Sequence, residues 1–353
     1  MASFNPSRLT LARKRLGWTK KALAEEVGLS ARSITAYEAE AKEPSPLHLA
    51  RIADVLGFPR AFFSQPDVDE LPVDGASFRA LSRMTQKQRD QAIAAGELAF
   101  CLADWIETRF DLPQPTIPKL RGIDPEAAAD VVRREWGLGE QPAGNMIHLL
   151  EFHGVRVFSL AEESREIDAF SVWRWGSQAG CDVPFVFLNT MKTAEHSRMD
   201  AAHELGHLVL HWRHETPQGR EAENEANAFA SAFLMPEASV RANAPWGGSR
   251  HQITVAKKRW GVSELALVYR MHKVRMLSDW QYRSMCIQIS KDGGRTSERS
   301  GMGERETSQI LPKVFRALKE DGLSKTDVAR ELCLPPSELN KLIFGLDSHL
   351  TLV

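Results

Sequence analysis

The chain has 353 residues, of which 43% are hydrophobic and 26% are charged, and its formal net charge is −1. This length allows two or three globular domains with buried cores. Because there is no apolar run of about 18 residues and no apolar segment after the basic N-terminus, we expect no membrane contact and a cytoplasmic location. A net charge near zero excludes a protein-wide field that attracts nucleic acid, so any DNA binding requires a local basic patch.

Residues 1–66 form such a patch, with ten Lys or Arg and six Asp or Glu. Their pattern predicts a five-helix bundle in which the last helix is a turn near Phe62. The other predicted helices are 7–16, 20–27, 31–40 and 47–56. The segment LAEEVGLSARSITAYE has the form of a helix-turn-helix, because Ala24 is small where the helices cross, Gly28 permits the turn and Ser30 can cap the second helix. The capped helix is the predicted DNA reader.

Together with the YExxxxxPSP stretch at Tyr37–Pro46, this segment resembles the Cro/repressor type of helix-turn-helix, often called the XRE family. The resemblance implies contacts to a double-stranded DNA operator. The implied groove or phosphate contacts are Lys20, Arg32, Ser33 and Thr35, and the implied backbone contact is Lys42. Because one bundle covers one half-site, we expect a homodimer. The alternative is a protein-interaction module with a solvated basic face.

Residues 67–120 are predicted to be a helical linker that acts as a spacer. An amphipathic helix over 85–110 carries an apolar stripe that we expect to pack in a core rather than against a second copy. From Asn145 to Phe187 the pattern predicts a helix followed by three short strands, which form a small sheet. A strand of this kind beside a metal site can bind extended peptide along its edge.

The sequence HELGHLVLH contains the HExxH pattern of zinc peptidases. His203 and His207 lie one helical turn apart and can bind one Zn²⁺, while Glu204 can reach the water that the ion holds. HExxH also arises by chance in helices that bind no metal. His211 continues the spacing and could serve as a ligand, but the helix runs on through it without the glycine turn that precedes a third histidine ligand. We therefore interpret His211 as a helix-terminal residue.

The third ligand is predicted in the next helix. Its apolar face is defined by Ala226, Phe229, Ala230 and Phe233. Glu223 shares that face, whereas Glu221 and Glu225 are rotated away from it. Asn227, one turn after Glu223, is predicted to orient a ligand by hydrogen bonding.

The run HELGH followed by ExEAxxFAxxFLMP resembles the ImmA/IrrE family of metallopeptidases. Arg198 and the strand PFVFLN fit the family too, and the resemblance covers about Arg121–Gln288. It implies an α+β, gluzincin-like zinc site with His203, His207 and Glu223 as ligands and Glu204 as general base. Asn227 stands where many relatives have Asp. The resemblance also implies a protein substrate, namely a helix-turn-helix repressor.

The predicted fold is therefore mainly α and multidomain, with a peptidase domain over 121–292. An exposed loop over 293–306 follows and offers a cleavage or regulatory site. Residues 307–353 are predicted to form a C-terminal helical domain with a helix-turn-helix rhythm of its own. Because its second helix begins with two prolines and acidic Glu338, we expect packing or dimerisation there rather than DNA contact.

Two functions of different class remain open. The first is a DNA-binding regulator with a zinc-dependent endopeptidase domain that cleaves a repressor-like protein or itself. The second is a non-proteolytic regulator, such as an antitoxin-type autoregulator, whose peptidase-like domain senses a ligand or a toxic protein partner. DNA binding is common to both, so only proteolysis that depends on Glu204 separates them.

Overall fold

A computed structural model describes residues 3–72, 84–160, 169–176, 182–212, 219–291, 301 and 303–346. The described residues form sixteen α-helices and one three-stranded sheet, which confirms the mainly helical fold. In chain order the helices are α1 (Pro6–Arg15), α2 (Lys20–Val27), α3 (Ala31–Glu38), α4 (Pro46–Leu56), α5 (Gln86–Glu107), α6 (Pro125–Glu135), α7 (Met146–Phe152), α8 (Ala194–Leu210), α9 (Arg220–Leu234), α10 (Glu237–Asn243), α11 (Arg250–Ala256), α12 (Glu264–Lys273), α13 (Asp279–Lys291), α14 (Ile310–Glu320), α15 (Lys325–Glu331) and α16 (Pro336–Ile343). Within these ranges, no helix combines the length and apolarity that crossing a bilayer requires.

The N-terminal bundle consists of α1–α4 and a 3-10 helix at Arg60–Ser64. The predicted local signals are confirmed. The Ser30 hydroxyl caps α3 by accepting from the Ser33 amide at 3.0 Å, and Gly28 ends α2 in the left-handed region with φ of 72°. Ala24 and Ile34 are buried where α2 and α3 cross. These features hold α3 in the position of a reading helix.

The segment predicted to be a spacer contains a core element instead. Helix α5 packs against α1 of the N-terminal bundle, and most of its apolar residues are buried. Phe100 meets Phe185 of the sheet edge to face, with ring centroids 4.7 Å apart. Because α5 contacts both the bundle and the sheet, it joins them in one continuous core. The expectation that its apolar stripe packs in a core is confirmed.

The predicted helix and three strands are present as α7, β1 (Arg156–Ser159), β2 (Phe170–Arg174) and β3 (Val183–Leu188). The strand order is β1-β3-β2, and β3 pairs parallel with β1 and antiparallel with β2. The PFVFLN strand is therefore central and offers no edge among the described residues. Strand β2 lies at one side of the sheet and packs against α8, so β2 is the edge nearest the HExxH helix.

Helices α8 and α9 form the closest helix pair of the predicted peptidase domain. Gly206 permits this approach, because a Cβ atom there would lie 3.2 Å from the Cα atom and the carbonyl oxygen of Ala226. A larger residue at Gly206 would push α9 away from α8. The HExxH helix and the helix with the predicted third ligand thus pack backbone to backbone.

The C-terminal helices pack onto the rest of the molecule, as expected for this segment. Glu338 of α16 is buried and accepts from Arg15 of α1 at 2.5 Å. The carboxylate of Glu151 in α7 accepts from the backbone amides of Gln309 and Ile310 at 2.9 and 3.2 Å, which caps α14. In the C-terminal segment that has a helix-turn-helix pattern, Glu338 therefore faces the protein interior rather than DNA.

Most of the predicted exposed loop 293–306 lies outside the described residues. Its end is half-buried, so the prediction of exposure is wrong for Arg305 and Glu306. Arg305 donates to the carbonyl oxygen of Lys192, and Glu306 forms an ion pair with Arg198. The chain is thus anchored beside the start of α8 before the C-terminal helices begin.

Candidate metal centre and DNA-reading helix

Helices α8 and α9 bring His203, His207 and Glu223 together. One ligand atom from each residue lies within 4.8 Å of the other two. The Nε2 atoms of the histidines are 3.1 Å apart, and the Glu223 carboxylate oxygens are 3.9 Å from His203 Nε2 and 3.6 Å from His207 Nε2. Tetrahedral zinc with bonds of about 2.0–2.2 Å separates its ligand atoms by about 3.3–3.6 Å. Two imidazoles and a carboxylate at these separations fit a zinc ion.

Asn227 lies against the first of these histidines. Its Oδ1 atom is 3.1 Å from His203 Nδ1, so it can accept a hydrogen bond from the Nδ1–H group, which leaves Nε2 free for a metal. Burial, followed by the neighbouring His207, lowers the pKa of His203 to about 4, although Glu223 opposes this shift. His203 is therefore neutral near pH 7, which is the form that binds metal ions.

The second histidine has a different environment. Burial, with a smaller contribution from His211, lowers the pKa of His207 to about 3. The Nδ1 atoms of His207 and His211 are 3.0 Å apart, and His211 Nε2 lies 2.7 Å from Glu225 Oε2. His211 is the C-cap residue of α8, as the sequence predicted. Its contact with Glu225 was missed, because helical phase alone placed Glu225 away from the centre.

The general-base candidate is held by the sheet. Glu204 is buried, and its Oε2 atom accepts from the Ser171 hydroxyl at 2.7 Å. Ser171 belongs to β2, the strand that packs against α8. Sequence reasoning missed Ser171, since a serine within a short apolar strand has no distinctive spacing from HExxH. The hydroxyl thus ties the carboxylate of Glu204 to the sheet.

Arg198 anchors the first half of α8. Its guanidinium is buried and donates to the carbonyl oxygens of Trp260, Gly144 and Ala143 at 3.0, 2.7 and 2.6 Å. It also forms the ion pair with Glu306. One side chain thus ties the HExxH helix to three separate segments, which limits movement of the helix that carries both histidines.

The predicted DNA contacts lie at α2, α3 and the turn after α3. Arg32, Thr35 and Lys42 are exposed. The Ser33 hydroxyl is 2.8 Å from that of Ser30 within the cap of α3. The Lys20 ammonium is 3.2 Å from Glu38 and remains 42% exposed, so it can still reach a phosphate. No DNA is present, and these contacts stay predictions.

Comparison with known families supports both sequence resemblances. Residues 150–272 match the peptidase M78 family model, described as the IrrE N-terminal-like domain, and residues 9–63 match a helix-turn-helix model. No curated protein matches the chain. The first match contains the strands, α8 and α9, and the second contains α2 and α3. The chain therefore combines a helix-turn-helix domain with a peptidase-like domain.

Proposed function

We propose that the chain is a DNA-binding transcriptional regulator whose peptidase-like domain is a zinc-dependent endopeptidase of the gluzincin type. The arrangement around Glu204 carries this proposal. Its carboxylate is buried and accepts a hydrogen bond from Ser171, and it belongs to the same helix as two neutral imidazoles that face a second carboxylate from α9. An isolated structural zinc site has no need of a buried carboxylate at this position.

In this function His203, His207 and Glu223 would hold the zinc ion. When bound, zinc polarises the scissile carbonyl group and lowers the pKa of a water molecule at the site. The neutral histidines serve as ligands near pH 7 without first losing a proton. Glu223 contributes the one negative charge among the three.

Glu204 moves the proton. Its carboxylate accepts a proton from the attacking water and passes it to the nitrogen of the departing amine. The bond from Ser171 restricts rotation of the carboxylate, so that the accepting oxygen keeps its orientation during transfer.

The helix-turn-helix domain would bring this activity to a promoter. Arg32 and Thr35 project from the exposed side of α3, and Lys42 follows it. We propose that α3 enters the major groove of an operator and that a homodimer spans two half-sites. The substrate is a repressor-like protein or the chain itself. A toxic protein partner belongs to the non-proteolytic alternative.

The decisive experiment compares the wild-type chain with Glu204→Gln. Both are loaded with Zn²⁺ and incubated with purified helix-turn-helix repressors and with a proteome-derived peptide mixture, and new termini are identified by mass spectrometry. We expect new termini with the wild type only, while zinc content and the circular dichroism spectrum are the same. Glu221→Gln, which alters an exposed carboxylate of α9, is the matched control.

Two other outcomes are informative. Loss of intact mass in the wild-type chain alone, without added substrate, identifies self-cleavage. If the wild-type chain binds one zinc ion and produces no terminus that Glu204→Gln lacks, the endopeptidase proposal is wrong and the non-proteolytic regulator is favoured. Operator binding by both variants would leave the DNA-binding proposal unaffected.

A further inference from the structure

At the C-terminal end of α8 the buried His211 is hydrogen-bonded to the partly exposed Glu225, and the proposed chemistry does not yet use this pair. We propose that His211 and Glu225 are positioning residues for the metal ligand His207. In this inference, which rests on the proposed zinc function, a chain of hydrogen bonds from His207 through His211 to Glu225 sets the tautomer and the ring orientation of the ligand. It assigns roles to two residues outside the ligand set.

The chain of contacts is short and continuous. His207 Nδ1 faces His211 Nδ1 at 3.0 Å, and His211 Nε2 faces Glu225 Oε2 at 2.7 Å. The histidine side chains are 3% and 1% exposed, so the bond between them is shielded from water, whereas the Glu225 side chain is 32% exposed. The backbone amide of His211 donates to the carbonyl oxygen of His207 at 2.9 Å, which keeps the two rings at one separation.

Only one arrangement of protons satisfies all of these contacts when His207 binds a metal through Nε2. The neutral His207 ring must then carry its proton on Nδ1 and donate it to His211 Nδ1. Because His211 Nδ1 accepts, the His211 proton lies on Nε2 and is donated to Glu225. The carboxylate of Glu225 therefore selects the metal-binding tautomer of His207, although it never touches that ring.

The two imidazole ligands are supported unequally. His203 has the neutral amide oxygen of Asn227, an exposed residue, at 3.1 Å from its Nδ1 atom. His207 has a buried imidazole backed by a charged carboxylate. A hydrogen bond that ends on an ionised group is about twice as strong as one between neutral groups. We therefore expect the His211–Glu225 pair to contribute more to zinc affinity than Asn227 does.

The experiment measures zinc affinity by competition with a chromogenic chelator in the full-length chain. His211→Leu removes the acceptor at similar volume, and His211→Gln offers a carbonyl oxygen in its place. Glu225→Ala removes the carboxylate, whose side chain is one-third exposed, so folding is not at risk. Glu221→Ala is the control on the same helix. The visible absorption spectrum of each Co²⁺-loaded variant reports the ligand geometry directly.

We expect His211→Leu to weaken zinc binding by about 10–100-fold and to alter the Co²⁺ spectrum, as loss of a group that orients a ligand does elsewhere. Glu225→Ala should have a smaller effect in the same direction, and Glu221→Ala none. His211→Gln should recover most of the affinity, which a purely packing role would not allow.

The result that overturns the inference is wild-type zinc affinity in both His211→Leu and Glu225→Ala. Equal losses in His211→Leu and His211→Gln, with an unchanged Co²⁺ spectrum in Glu225→Ala, also overturn it, because His211 would then act through packing alone. These results leave the proposed function standing. A wild-type chain that takes up no zinc contradicts both the proposed function and this inference.

Discussion

The candidate metal centre and the DNA-reading helix use their side chains in opposite ways. In the metal centre Glu204 and His207 are buried, and hydrogen bonds from Ser171 of β2 and from His211 at the end of α8 hold them in place. On α3 the predicted contacts Arg32 and Thr35 are exposed, and the Thr35 hydroxyl bonds only within its own helix, to the carbonyl oxygen of Ala31 at 3.0 Å. Loss of a single hydrogen bond can therefore disturb the metal centre, whereas the orientation of the reading helix depends on the residues that pack against its buried side.

Beneath α3 lie apolar packing and a buried ion pair. Ile34 is fully buried, and Glu38 accepts from Arg13 of α1 through two bonds of 2.6 and 2.9 Å. The hydroxyl of Tyr37 lies 2.9 Å from His48 Nδ1 of α4. The underside of α3 is thus fixed to α1 and α4, while its outer side carries no equivalent contacts at Arg32.

The largest effect is expected in the metal centre, from Glu223→Ala. This change removes one of the three proposed ligands and the only carboxylate among them, so the loss of zinc affinity should exceed the ~10–100-fold that follows loss of a supporting residue. Chelator competition measures it. DNA affinity, determined by fluorescence anisotropy with an operator fragment, should not change, because Glu223 lies outside the helix-turn-helix domain.

Retention of one zinc ion at wild-type affinity in Glu223→Ala would show that another residue is the third ligand. His211 and Glu225 are alternatives in α8 and α9, and the variants His211→Leu and Glu225→Ala in the Glu223→Ala background would test them. Reduced DNA affinity in Glu223→Ala would instead show that the two regions are coupled.

The reading helix is expected to respond most to a change in its buried side. Ile34→Ala removes a fully buried side chain and should lower the free energy of unfolding of the bundle by about 2–4 kcal/mol. Thr35→Ala is the matched control on the exposed side, where changes usually stay within about 0.5 kcal/mol. Chemical denaturation followed by circular dichroism measures both. Equal destabilisation would contradict the distinction between the two sides of α3.

The sequence predicted the features that depend on local signals and missed those that depend on tertiary packing. Helix periodicity and capping residues are local signals, so the five elements of the bundle, the caps at Ser30 and Gly28 and the approach of Glu223 to the HExxH helix followed from spacing alone. Ser171, the His211–Glu225 pair and the anchoring of Glu306 on Arg198 depend on which elements pack together. Their spacing along the chain carries no signal of that packing.

Helix α5 shows a second limit of prediction from sequence. Its apolar stripe predicted burial correctly, but a stripe does not say what it packs against. The proline-rich flanks favoured a spacer, whereas the helix joins the bundle to the sheet through contacts with α1 and Phe185. Those contacts depend on the tertiary arrangement of three separate segments.

A smaller effect is expected from the exposed side of the reading region. Arg32→Ala should weaken binding to a specific operator by about 10-fold and relax base preference, as loss of a base contact does. Lys42→Ala should weaken binding to all sequences alike and reduce the slope of log affinity against log salt by about 1. Titrations at several salt concentrations separate the two. A salt slope in Lys42→Ala equal to that of the wild type would mean that Lys42 does not contact a phosphate.

The smallest effect on zinc affinity is expected from a change at Asn227. This residue belongs to the metal centre, but it is exposed, like the predicted DNA contacts. Asn227→Ala removes the acceptor for His203 Nδ1, and water can take its place, so zinc affinity should fall by about 10-fold or less. Asn227→Asp keeps the acceptor and adds charge, so it should bind zinc at least as tightly as the wild type. A loss in Asn227→Ala as large as that in His211→Leu would show that exposure does not separate strong from weak supporting residues in this centre.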